Sequence, residues 1–193
     1  MKIRDISALI IGTIGAVVLI SPSQAAITVI GTGMASSCYQ AAEFGGDPRS
    51  GVVTCTNALD ETLSVYDRAA TYVNRGILEA RNDELKVSLA DYDAGLKLRP
   101  DLAEAYIDRG NTFISVHRYA EALQDIDKGI SLGARQLEVA YYDRAMAREG
   151  VGDVAGAYRD YKKALELQPD FALAADQLKR FTVTVHKATT GGV

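Results

Sequence analysis

The sequence predicts an all-α fold, an α-solenoid of three helix-turn-helix repeats with a helical hairpin before them and a single helix after. Small residues recur with a period of about 34 residues, at Gly76, Gly110 and Ala145, at Ser88, Ala122 and Ala157, and at Gly95, Gly129 and Ala164. Tyr92, Ile126 and Tyr161 keep a fixed offset from them, and Pro100, Ala134 and Pro169 close the units. Small residues at such offsets let paired helices approach, and the bulky residue fills the gap between them. Proline ends the second helix, because it has no N–H to donate and its ring clashes with the preceding turn.

At the amino end, Lys2 and Arg4 precede an apolar run from Ala8 to Ile20, and Ser23-Gln24-Ala25 sets small residues where a signal peptidase reads. Residues 1–25 are expected to be a signal peptide, cleaved after Ala25. The run falls short of the roughly 20 apolar residues of a spanning helix, which leaves an uncleaved anchor as the alternative. The expected location is the bacterial periplasm or the exterior, with a membrane involved only through this segment.

Residues 26–68 are expected to form a stapled helical hairpin that caps the repeats. Ala35 to Phe44 reads as a helix, Gly45-Gly46-Asp47-Pro48 as a turn and Gly51 to Leu63 as a second helix. The stretch Ala26 to Ala35, short and rich in Gly and Thr, is expected to be frayed, as is Lys187 to Val193. Cys38 and Cys55 are the only cysteines, and in an exported chain such a pair is expected to form a disulfide. Their spacing lacks the Cys-x-x-Cys form of a working dithiol. With His117 and His186 far away in sequence, they also form no metal-ligand pattern.

The repeats are expected over 69–171, as 69–102, 103–136 and 138–171. Their first helices are read at Asp67 to Ala80, Ala103 to Val116 and Leu137 to Glu149, and their second at Asp83 to Leu98, Tyr119 to Leu132 and Asp153 to Leu167. Residues 172–193 are read as a capping helix and a flexible tail. Phe171, Leu173, Ala174, Leu178 and Phe181 recur there at helical spacing, and an array that buries apolar surface only between neighbours needs atypical ends.

The repeat register resembles the tetratricopeptide repeat family over about Ala69 to Phe171. The middle unit, Ala103-Glu104-Ala105-Tyr106-Ile107-Asp108-Arg109-Gly110-Asn111, has an aromatic at its fourth place and Gly at its eighth, followed by Phe113 and Ala122 at the eleventh and twentieth. Glu79 and Arg148 depart from the family's large aromatic, and Ala134 from its terminal Pro. The resemblance implies binding of another protein on an inner wall lined by the first helices. Its expected groove residues are Val73, Ile77, Arg81, Glu104, Ile107, Asn111, Ile114, Tyr142, Met146 and Glu149, beside Ala70, Ala80, Ser115, Val139 and Gly150. Such a wall suits an extended or helical segment of a partner. The alternative is that part of this set packs against the caps. The family's carboxylate clamp needs Lys at the fifth place, where this chain has Val73, Ile107 and Tyr142, so an acidic chain terminus is not the expected ligand.

Arg75, Arg109 and Arg144 share the seventh place of each unit, and Asp91, Asp125 and Asp160 the twenty-third. Pairing between the two helices of every repeat is the expected role, since guanidinium and carboxylate meet through two parallel hydrogen bonds. The chain carries a net charge of -4 and no basic stripe, which argues against nucleic acid. No nucleophile, base and acid set or phosphate-cradling loop is present, so neither catalysis nor a cofactor is expected. The expectation is a non-catalytic adaptor or scaffold of the bacterial cell envelope. The alternative is a self-associating envelope module, tethered by an uncleaved amino-terminal helix.

Overall fold

The computed structural model describes residues 25–30 and 33–181, which hold nine helices and no strand. The expected signal peptide, up to Gln24, and the tail from Lys187 lie outside the described residues. The hairpin is α1 (Met34–Phe44) and α2 (Pro48–Leu59). Helix α2 starts at Pro48 rather than Gly51, because the Asp47 side chain accepts the Ser50 N–H at 3.0 Å and proline suits the first helical position. It stops at Leu59 rather than Leu63, where Arg68 takes the carbonyls of Leu59 and Glu61 at 2.7 and 2.9 Å. Cys38 and Cys55 join the two helices in a disulfide and are wholly buried against α3.

Three antiparallel pairs follow: α3 (Val65–Arg81) with α4 (Leu85–Leu98), α5 (Ala103–Ser115) with α6 (Tyr119–Ser131), and α7 (Leu137–Gly150) with α8 (Val154–Leu167). Ser64 caps α3 by accepting the Asp67 N–H at 3.0 Å. The turn inside each pair needs one residue at positive φ, supplied by Asp83 (65°), His117 (60°) and Gly152 (82°). Where the helices cross, small residues are obligatory. A Cβ on Gly110 would lie 2.7 Å from Ile126 Cγ1, and one on Gly129 would lie 2.5 Å from Ile107 Cδ1.

Arginine ties the pairs together and to each other. Arg75, Arg109 and Arg144 each grip Asp91, Asp125 and Asp160 through two hydrogen bonds of 2.7–2.8 Å. The third guanidinium nitrogen reaches back to the preceding unit, to Thr56 at 3.1 Å, Asp93 at 2.6 Å and Asp127 at 2.7 Å. One side chain therefore fixes both the intra-repeat and the inter-repeat packing. Helix α9 (Ala172–Leu178) closes the far end, with Phe171 set edge-on against Tyr142 and Phe181 against Tyr161.

Residues 26–30 depart from the expectation that this stretch is frayed. Ala26, Ile27 and Val29 are buried in the same core as Ala69, Ala70, Val73 and Ile77 of α3, while Thr28 and Ile30 face out. From Ile27 to Ile30 buried and exposed residues alternate, as in an extended chain with one buried face.

Candidate functional site

The first helices α3, α5 and α7 stand side by side, α5 packing against both others, and form the inner wall. The extended segment 25–30 runs along this wall and is held through its backbone. Asn74 accepts the Ile27 N–H through Oδ1 and donates from Nδ2 to the Ile27 carbonyl, both at 2.8 Å. Asp67 Oδ1 accepts the Ile30 N–H at 2.9 Å, its other oxygen being fixed by the Ser64 hydroxyl at 2.7 Å. On α5, Asp108 lines a cleft together with Ala25. A side-chain amide bonded to both groups of one residue reads chain direction and extension rather than side-chain identity.

Asn74, Asp108 and Asp143 occupy the sixth place of the three units, and all three are buried. Asp108 is 1% exposed, and its Oδ2 has no hydrogen-bond partner among the described residues. Burial first, then the charge of Asp143, pushes the Asp108 carboxyl well above the usual carboxylate range, against the lowering effect of the Ala25 N–H. A shallow cleft at this point separates Ala25 and α5 from α7, between Ile107 and Asp108 on one side and Gln136 and Val139 on the other.

The residues expected to line the groove divide into two sets. Val73, Ile77, Ile107, Ile114 and Tyr142 are buried. Val73 and Ile107 fill the space beside Gly95 and Gly129, and Tyr142 lies between Tyr161 and Phe171, so these three are packing residues of the solenoid. In the first two units the fifth place turns toward the second helix, where Gly95 and Gly129 leave room for it. Arg81, Glu104, Asn111, Met146 and Glu149 stay partly exposed. Glu104 pairs with Arg135 at 2.9 Å, and Glu149 with Arg180 at 2.6 Å.

Asp67 and Asn74, which hold the segment, and Asp108, which lines the cleft beside it, were absent from the expected set. A signal for two of them was present in the repeats, since a short amide or carboxylate stands at the sixth place each time beside residues that are otherwise small or apolar. What the pattern lacked was any mark of the occupant.

Among relatives, an Hsp70-Hsp90 organizing protein of Triticum aestivum is 29% identical over 130 residues, which covers 65% of this chain but only 22% of that protein. Two solved structures share the fold. MamA (41 to the end) from Desulfovibrio magneticus RS-1 has a TM-score of 0.64 at 19% identity, over 76% of this chain and 82% of that one. The first repeat domain of Spaghetti (RPAP3), bound to the HSP90 peptide SRMEEVD, has a TM-score of 0.57 at 22% identity, over 60% of this chain and 90% of that one. Residues 139–171 match the tetratricopeptide repeat family. Together with that match, the three stacked helical pairs and their small-residue crossings give the described residues the α-solenoid fold of tetratricopeptide repeats.

Proposed function

We propose that the protein is a non-catalytic adaptor of the bacterial cell envelope, which holds an extended segment of a partner protein across α3 and α5 in the place its own residues 25–30 fill. The observation that carries this reading is the Asn74 amide bonded to both backbone groups of Ile27. That bond asks only for an extended chain, which a partner supplies equally well.

The wall also sets the chemistry of the partner. Asp67 and Asp108 stand where the segment passes, with Asp143 and Glu104 beside them, and no lysine takes the fifth place. Carboxylates repel an acidic peptide, so a segment of small and β-branched apolar residues, neutral or basic, is the matching ligand. The chain's own segment acts as a tethered competitor, and a short tether gives it an effective concentration on the order of millimolar. Export through residues 1–25 is part of this proposal, and the buried disulfide supports it, since such bonds persist in oxidising compartments.

The test uses a labelled peptide with the sequence of residues 25–30. It is expected to bind a chain shortened to begin at Gly33 and to bind the full chain at least about tenfold more weakly. Asn74→Ala in the shortened chain is expected to abolish the signal. Absence of binding to a shortened chain whose helix content is intact would overturn the reading.

A further inference from the structure

We infer that the cleft between α5 and α7 is a pocket for a basic side chain, a lysine or an arginine, carried by the partner's segment at the position of Ala25. This pocket rests on the partner reading, and it supplies one contact that the chain's own segment leaves unmade. Ala25 lines the cleft together with Asp108 and Glu104 of α5 and with Gln136 and Val139 where α7 begins. A longer side chain in place of the alanine has this space to occupy. The lining matches a lysine or arginine along its length. Ile107, Ala134 and Val139 are buried apolar residues and suit the methylene stem, which packs along apolar surface while its head stays among polar groups. The charged groups of the lining are both carboxylates, Asp108 and Glu104. No three of the described His, Cys, Asp and Glu residues are placed to hold a metal ion, so the cleft suits an organic cation.

Asp108 points to a ligand independently of the shape of the cleft. It is 1% exposed, and its Oδ2 has no hydrogen-bond partner among the described residues. A buried acceptor in that state is unfavourable. Asp143 of α7 and Glu104 of its own helix add negative charge around it. Arg81 at the end of α3 acts on it and Arg135 bonds Glu104 at 2.9 Å, but neither reaches Oδ2. An ammonium or guanidinium in the cleft supplies the missing donor. Hydrogen bonds between charged partners are shorter and stronger than neutral ones, and an opposite charge in contact lets the Asp108 carboxyl ionise.

The consequence is selectivity. The chain's own segment competes for the wall from a short tether, through backbone bonds that any extended chain can make. A partner offering the same bonds and nothing more has no advantage over it. A basic residue set on Asp108 gives the partner a contact that Ala25 lacks, and so distinguishes it both from the tethered segment and from neutral or acidic chains.

The experiment has two arms, both on the full chain with residues 1–25 retained. In the first, the chain carries Ala25→Lys or Ala25→Met, each with and without Asp108→Asn, methionine being long but uncharged. Ala25→Lys is expected to melt higher than Ala25→Met, and Asp108→Asn is expected to remove the difference. At neutral pH the introduced ε-amine is expected to react with an amine-selective reagent at least about tenfold more slowly than in the same chain unfolded in denaturant. Equal melting of the two variants would overturn the pocket, as would a lysine advantage that survives Asp108→Asn. If Asp108→Asn does not fold, protection of the introduced amine decides alone, and its absence overturns the pocket. In the second arm, acetylated peptides with the sequence of residues 25–30 and lysine or methionine in the first place are offered to the native chain. The lysine peptide is expected to bind at least about tenfold more tightly, and equal binding would overturn the inference. Failure of both peptides to bind would overturn the partner reading, whereas the pocket stands or falls by the first arm, which needs no partner.

Discussion

Asn74 bonds both the N–H and the carbonyl of Ile27, each at 2.8 Å, across 47 positions of sequence. The pair is buried, so the amide has no water to fall back on when Ile27 leaves. Asn74→Ala removes both bonds and strands two backbone groups, with an expected loss of about 2–4 kcal/mol from the seating of the segment. Limited proteolysis is the readout: cleavage within 25–30 is expected to accelerate while the repeats stay resistant.

Arg109 illustrates how the repeat period is enforced, by gripping Asp125 within its unit and Asp93 of the unit before. Arg109→Lys keeps the charge but loses the planar fork, and is expected to cost about 1–3 kcal/mol in denaturant unfolding. Arg109→Ala leaves Asp125, 7% exposed, without its counter-charge and is expected to cost more, about 3–5 kcal/mol. Equal stability of the lysine variant and the native chain would show that the fork is dispensable.

At Gly110 the two helices of the middle repeat come close enough that a Cβ would meet Ile126 at 2.7 Å and the Ala122 carbonyl at 3.3 Å. Gly110→Leu is expected to lower stability by about 1–3 kcal/mol through overpacking. Thermal melts of the variant check it, and an unchanged midpoint would contradict the helix crossing.

Reduction of the Cys38–Cys55 bridge opens a loop of 17 residues and is expected to cost about 3 kcal/mol. Both sulfurs are buried, so reduction in the folded state is expected to be slow, and faster once denaturant loosens the hairpin. Mass analysis after thiol trapping measures it, and two reactive thiols in protein from its native compartment would contradict the pairing.

The repeats were legible because they repeat. Every unit needs the same small residues at its crossing and the same Arg–Asp fork, so Gly76, Gly110 and Ala145, or Arg75, Arg109 and Arg144, report one constraint three times. The disulfide was legible from the isolation of its two cysteines. The segment 25–30 was not, because Ala-Ala-Ile-Thr-Val-Ile is too short for a period to emerge and its partners Asn74 and Asp67 lie far along the chain. The groove residues were read from the family's register, which gave Val73, Ile107 and Tyr142 to the wall, whereas Val73 and Ile107 pack at Gly95 and Gly129, and Tyr142 packs between Tyr161 and Phe171. The wall itself falls to the neighbouring sixth place.

Asp108 gives the uncut chain a definite pH response. Burial and Asp143 raise its folded-state pKa above the unfolded value, so its contribution to stability is complete below the ordinary carboxylate range and is lost as pH rises through the folded pKa. A chain that keeps the residues upstream of Ala26 is expected to lose stability over that window. Asp108→Asn is expected to flatten the response, which melts at a series of pH values will record.

The most direct test of the account is hydrogen exchange at the amides of Ile27 and Ile30 in the folded chain. Both are expected to be protected far beyond an unstructured peptide, and Asn74→Ala is expected to release Ile27 while leaving the amides of α4 unchanged. Exchange of Ile27 and Ile30 at the rate of a free peptide, in a chain whose helices are protected, would contradict the claim that the inner wall holds an extended backbone.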